Sequence, residues 1–259
     1  MIGAIIGDIV GSTYEFNNTS DYNFPLFATG SSFTDDTICT LAIADAIISG
    51  KPYKDRLLEW CRAYPYPMGG YGGRFAQWIA SGGNEPYGSF GNGSAMRVSP
   101  VAWAYDDLRD VLKEATKTAM PTHSHPEGVK GAMAVAHAIW YFRSNMKMDG
   151  FIDAMQEYYP NFQHEHYKVG VFDETCQGTV PLCLNIVCHA RGFEDAIRIA
   201  VSHGGDSDTI GAIVGAMAEA RFGIPESIYD KAFGFLDERM LATIHDFFYM
   251  LNERENGKD

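Results

Sequence analysis

Two short acidic clusters, Thr34-Asp35-Asp36-Thr37 and Asp206-Ser207-Asp208-Thr209, lie in opposite halves of the chain. Each is followed at once by small and apolar residues. Four carboxylates gathered where two buried helices begin would repel one another and resist leaving water. Oxygen-only donors of this kind suit hard divalent cations such as Mg²⁺ or Mn²⁺. A lone Asp-Asp pair is also a common helix N-cap, its charge matched to the positive end of the helix dipole. The second cluster carries more information. Gly204-Gly205 precedes it, and alternating Asp206 and Asp208 across a glycine turn can aim both carboxylates into one cavity. Two such helix starts facing each other would make a paired-cation site, with cations roughly 3.5–4 Å apart. That pattern suits a hydrolase.

The elements that must bring these residues together read as helices. Residues 37–49, 131–142 and 210–222 are so poor in charge that each should be buried on nearly all sides. In the last, Gly211 and Gly215 are four apart, a spacing that lets another helix come close. Residues 7–12 read as a second close-packed, glycine-bearing helix, after which Glu15 follows as a fifth carboxylate or as an ordinary surface glutamate. Further helices are expected at 53–63, 108–118, 150–159, 180–190, 194–202 and 237–251. No stretch alternates strictly enough for a strand. The fold class expected is all-α, a compact helical bundle forming one domain over residues 1–259. Glycine- and proline-rich loops at 65–73, 81–93 and 121–128 break the pattern. Such loops carry function or supply positive φ angles between helices.

Composition excludes several classes. The 259 residues carry a formal net charge of −13 with no cluster of Lys and Arg, which argues against a nucleic-acid surface. No apolar run approaches the roughly 18 residues that span a bilayer, and Asp8 interrupts the short apolar start, so neither membrane span nor signal peptide is expected. The five cysteines form no C-x-x-C pair. Reduced thiols in a cytoplasmic monomer are the expectation.

One ordered series of motifs resembles a known family. Gly7-Asp8-x-x-Gly11-x-x-x-Glu15, Thr34-Asp35-Asp36-Thr37, Gly91-Asn92-Gly93-Ser94-Ala95-Met96-Arg97, Thr122-His123 and Gly204-Gly205-Asp206-Ser207-Asp208-Thr209 occur in order between about residue 3 and residue 224. This is similar to the ADP-ribosylglycohydrolases. The resemblance implies a compact orthogonal helical bundle with a binuclear Mg²⁺ or Mn²⁺ centre in a cleft. By motif, the ligands are Thr34, Asp35, Asp36, Asp206, Asp208 and Thr209. Glu15, Asp35 and Asp36 are the candidate proton carriers, Glu15 first. Ser89, Phe90, Gly91, Asn92 and Gly93 are expected to hold a diphosphate, with Phe90 stacking on adenine. Tyr71, Gly72 and Gly73 form a second wall, and His123 lies near the phosphates. Arg97 reads as a structural ion-pair partner.

The activity implied is hydrolysis at C1 of the distal ribose in an ADP-ribosylated protein or small conjugate, releasing ADP-ribose. Two other readings stand beside it, a non-catalytic ADP-ribose-binding module and a metal-dependent nucleotide phosphoesterase, the latter usually needing His ligands that these motifs lack. The leaving group stays open among arginine, serine and acyl esters, with residues 65–68 and 160–174 as the variable wall.

Overall fold

A computed structural model describes residues 1–256; residues 257–259 of the expected span lie outside it. In chain order the helices are α1 (Ile2–Gly11), α2 (Asp35–Ser49), α3 (Tyr53–Ala63), α4 (Gly73–Ala80), α5 (Gly93–Met96), α6 (Ser99–Ala104) and α7 (Leu108–Ala119). They continue as α8 (Pro126–Arg143), α9 (Met148–Gln156), α10 (Cys176–His189), α11 (Phe193–His203), α12 (Ser207–Phe222), α13 (Glu226–Phe233) and α14 (Glu238–Asn256). Among the described residues the only β-pairings outside helices are two isolated bridges, Thr34 with Met68 and Gly91 with Thr175. The architecture is all-α. Among the described residues no helix is long and apolar enough to cross a membrane.

Helix α1 is buried along its whole length, and α12 and α2 are buried over most of theirs. These three form the centre, and α1 packs most extensively on α12. The contact is backbone against backbone. A Cβ added at Gly7 would lie 1.9 Å from the Gly211 carbonyl oxygen, and one at Gly3 would lie 2.1 Å from that of Gly215. One at Gly11 would lie 2.3 Å from the Ser207 carbonyl oxygen. Only hydrogen fits at these three positions of α1. Glu219 of α12 fixes the register, accepting from the Gly3 N–H at 2.9 Å and pairing with the Met1 amino group.

Local chemistry sets the ends of the helices that matter. Thr34 caps α2, its hydroxyl accepting from the Asp36 N–H at 3.2 Å. Gly50, at φ +66°, ends it in a left-handed turn. Before α12, Gly204 and Gly205 take φ +74° and +88°, where a side chain is strained.

The long helices match the sequence pattern, with α2 starting at Asp35 rather than 37 and α8 at Pro126 rather than 131. The sequence pattern does not announce the short helices α4, α5, α6 and α13. In α4, flanking glycines conceal an amphipathic turn that buries Phe75 and Trp78. The C-terminal helix runs to Asn256, past the expected 251.

The glycine contact makes a direct prediction. Gly7→Ala should lower the melting temperature by roughly 4–10 °C, from about 2–3 kcal/mol of overpacking in a chain of this size. Gly192→Ala, where a Cβ meets nothing within 4 Å, should leave it nearly unchanged. Equal melting temperatures for both variants by circular dichroism would contradict the close approach.

Candidate functional site

Asp8 organises the site from beneath. It is fully buried on α1, an otherwise apolar helix. Its carboxylate accepts from the Thr34 N–H at 2.9 Å, the Thr34 hydroxyl at 2.7 Å and the Thr37 N–H at 3.0 Å. The Thr37 hydroxyl donates to it as well. Four donors from the first turn of α2 thus converge on one side chain of α1. Burial raises the Asp8 carboxyl to about 6 even though those hydrogen bonds pull it down.

With α2 pinned in this way, Asp35 and Asp36 stand at the floor of a cleft of about 350 Å³. Asp206, Asp208 and Thr209, from the start of α12, line the same cleft. The two acidic clusters meet there: the Thr209 hydroxyl donates to Asp36 Oδ2 at 3.2 Å. Glu15, just past the 3₁₀ turn Ser12–Tyr14, joins Asp206 and Asp208. Each of the three offers an oxygen within 4.8 Å of the others. Asn92 holds Asp206 in place, its amide donating to Oδ2 at 2.7 Å, and the Thr209 N–H donates to Asp208 Oδ1 at 2.9 Å. Thr34 lies behind this array, fully buried, its hydroxyl donating to Asp8.

The electrostatics follow from packing negative charge into a dry place. Burial and then mutual repulsion push Asp35, Asp36 and Asp208 well above the usual carboxylate range. Asp206 is raised by burial, with the Asn92 hydrogen bond opposing. Glu15 is raised to about 7, by burial first and the charge of Asp206 second. No Lys or Arg forms an ion pair with any of these carboxylates among the described residues. Asp36 Oδ1 is buried with no hydrogen-bond partner. A buried carboxylate oxygen without a donor, among the charges of Asp8, Asp35 and Asp206, is costly, and the all-oxygen donor set of the cluster fits a hard cation.

Above the acids, the cleft is walled by the glycine loops. Tyr71, Gly72, Gly73, Ser89, Gly91, Asn92, Gly93 and His123 all line it. The amide of Asn92 is committed to Asp206 and to Thr179 Oγ1, at 3.1 Å. Its N–H donates to the Glu174 carbonyl at 2.7 Å. The Gly91 N–H is likewise taken, by Ser89 Oγ at 3.1 Å. His123 faces the loop: a Cβ on Gly93 would lie 3.1 Å from its Nε2. Burial, then Arg97 and Arg74, hold the imidazole well below its ordinary pKa, so it is neutral at pH 7. Phe90 does not line the cleft. Its carbonyl accepts from the Cys176 N–H at 2.9 Å, and its ring rests edge-on against His125 at 5.3 Å.

Several lining residues escape a reading of the sequence. Tyr87 lines the cleft, with the Arg74 guanidinium 4.9 Å from its ring centre. Among the described residues Arg97, which the sequence suggested as an ion-pair partner, makes no ion pair. It is buried and donates to the Thr118 carbonyl at 2.9 Å and to Thr122 Oγ1 at 2.8 Å. Asp8 could have been suspected from its place between Gly7 and Gly11 in an apolar helix. Arg74 and Tyr87 carry no such signal.

Known proteins share this pattern. The model of the ADP-ribosylglycohydrolase family matches residues 1–255. The ADP-ribosylhydrolase ARH3 of Mus musculus is 26% identical, over 96% of this chain and 90% of its own length. The ADP-ribosyl-[dinitrogen reductase] glycohydrolase of Rhodospirillum rubrum is 24% identical, over 87% of this chain and 85% of its own. A solved structure titled "ADP-ribosylglycohydrolase-related protein complex" superposes with a TM-score of 0.74 at 23% identity, covering 96% of this chain and 97% of that one. That likeness establishes the fold.

The raised carboxylates set a pH dependence. Between an unfolded value of about 4 and the folded values of about 6 for Asp8 and about 7 for Glu15, the native state binds more protons. The stability of the metal-free protein therefore falls as pH rises through that window. After chelation, the melting temperature should be lower at pH 8 than at pH 5.5. Millimolar Mg²⁺ or Mn²⁺ should raise it at pH 8 by roughly 5–10 °C, for a cation at about 100 times its Kd, and by less at pH 5.5. A melting temperature at pH 8 that ignores both cations would contradict the cation assignment.

Proposed function

The chain belongs to the ADP-ribosylglycohydrolase family, and we propose that it hydrolyses the bond between C1 of the distal ribose and its substituent. The substrate is an ADP-ribosylated protein or small conjugate, and ADP-ribose is released. The observation that carries this reading is the meeting of the two acidic clusters through Thr209 and Asp36. Around it lie a partnerless buried carboxylate oxygen and a cleft long enough to extend from the acids to the glycine loops.

In this reading Asp35, Asp36, Asp206, Asp208 and Thr209 hold two Mg²⁺ or Mn²⁺ ions, with Thr34 behind them and Glu15 alongside. When bound, such ions supply positive charge against the carboxylates and Lewis acidity toward ribose and water oxygens. The protein's own groups do the rest. Asn92 and Thr209 fix the directions of Asp206 and Asp36, so that the acids do not have to reorganise during reaction. The field of the carboxylates stabilises the positive charge that grows on the ribose as its substituent departs. Glu15, half-buried and with an oxygen within 4.8 Å of oxygens of Asp206 and Asp208, stands where it would take a proton from the attacking water. The turn at Gly69 covers it: a Cβ there would lie 2.6 Å from Glu15 Oε2. That contact helps to keep Glu15 half-buried and its pKa high.

Gly93 and His123 form the proposed diphosphate wall, together with Ser89. A neutral histidine serves there as a hydrogen-bonding group without adding fixed charge. Phe90, outside the cleft wall, is proposed to meet adenine only at the outer rim. The free cysteines suit a reducing cytoplasm, and a monomer is the proposed state.

Asp208→Ala should reduce release of ADP-ribose from an ADP-ribosylated substrate below detection while preserving the helical spectrum. Asp8→Asn, which disturbs the support rather than a proposed ligand, should weaken cation affinity by about 10–100-fold. Undiminished turnover by Asp208→Ala would refute the proposed centre.

A further inference from the structure

One wall of the cleft is built from two segments that share a single anchor. Asn18 donates to the Tyr14 carbonyl at 2.6 Å and to that of Gly205 at 2.9 Å, and its Oδ1 accepts from the Gly205 N–H at 2.8 Å. This ties the turn carrying Glu15 and Phe16 to the glycine pair that opens α12. Just before that pair, the His203 carbonyl accepts from the Gly170 N–H at 2.8 Å, and a Cβ at Gly205 itself would lie 2.4 Å from the Val171 carbonyl oxygen. The segment carrying Phe172 and Glu174 is therefore docked there too.

The result is a stacked aromatic pair at the mouth of an acidic cleft. The rings of Phe16 and Phe172 lie 6.0 Å apart and 18° from parallel. Both line the cleft, yet they are 74% and 43% exposed. Rings left this open on a structured wall offer a free face to something that arrives from solvent. Glu174 lines the cleft beside them, and its charge acts on Glu15 and Asp206. Arg74 and Arg97 act instead on His123, at the glycine loops. Glu174 sits two residues past Phe172 with its carbonyl on the Asn92 N–H at 2.7 Å, joining the aromatic pair to the edge of the glycine loop and adding a carboxylate to that side of the cleft.

We infer that the Phe16–Phe172 pair, with Glu174, forms the leaving-group subsite and selects a planar cation, the guanidinium of an ADP-ribosylated arginine. This rests on the hydrolase reading above. A guanidinium stacks on aromatic faces and pairs with carboxylates at once. A serine hydroxyl or an acyl group gains nothing from either. In the reaction the C1–N bond breaks and its electron pair stays on the guanidine nitrogen. Water oxygen forms the new bond to C1, and one water proton ends on the guanidine, giving ADP-ribose and arginine.

The test compares arginine-linked, serine-linked and acetyl-ester ADP-ribose with the cation-loaded protein. Wild type should prefer the arginine linkage. Phe16→Ala and Phe172→Ala should each reduce that preference, as a ratio of kcat/KM values, by about 10-fold, the size of one partly desolvated cation–π contact. Phe172→Leu, which keeps the bulk and removes the π face, should do the same, and Phe172→Tyr should retain the preference. Preference for serine or ester, or an unchanged ratio in the Ala and Leu variants, would overturn the inference and leave the hydrolase reading standing. Release of no ADP-ribose from any of the three by wild type would overturn both.

Discussion

Carboxylates that repel one another are held together here in a place that water hardly reaches, and the rest of the molecule is arranged to make that tolerable. The means is a contact between two backbones. Because Gly3, Gly7 and Gly11 carry no side chains, α1 lies directly on α12. Asp8 of α1 is thereby brought beneath the same cavity that α12 opens with Asp206 and Asp208. Asp8 in turn gathers four donors from the first turn of α2 and so fixes where Asp35 and Asp36 begin. Moving any one of the three helices would displace acids contributed by another.

The cost of this arrangement shows in the protonation equilibria. Every carboxylate in the group sits above its ordinary pKa, mainly from burial. A protein gains no stability from such a cluster by itself. Positive charge entering the cluster would relieve that repulsion, and the same burial and repulsion hold the Glu15 carboxyl of the metal-free protein at about 7.

Much of this was legible in the residues. Charge-poor runs marked the buried helices, the spacing of Gly211 and Gly215 marked a close approach, and the absence of alternation excluded a sheet. Other features depend on partners distant in the chain. Asp8 looks like a lone acid in an apolar helix until Thr34 and Thr37 are set beside it. The direction of Phe90 is decided by the bridge between Gly91 and Thr175, which no local pattern encodes. Helix α4 is hidden by the glycines around it, and with it Arg74 and its contact with Tyr87. The pairing of Phe16 with Phe172 likewise arises only because both segments fasten to Gly204-Gly205.

Anomalous diffraction from crystals grown with Mn²⁺ gives the most direct test of the convergence of both halves of the chain on shared cations. Two peaks are expected in the cleft, within bonding distance of oxygens from Asp36 on one side and Asp208 on the other. A fully occupied Mn²⁺ elsewhere, with no peak between those two residues, would contradict it.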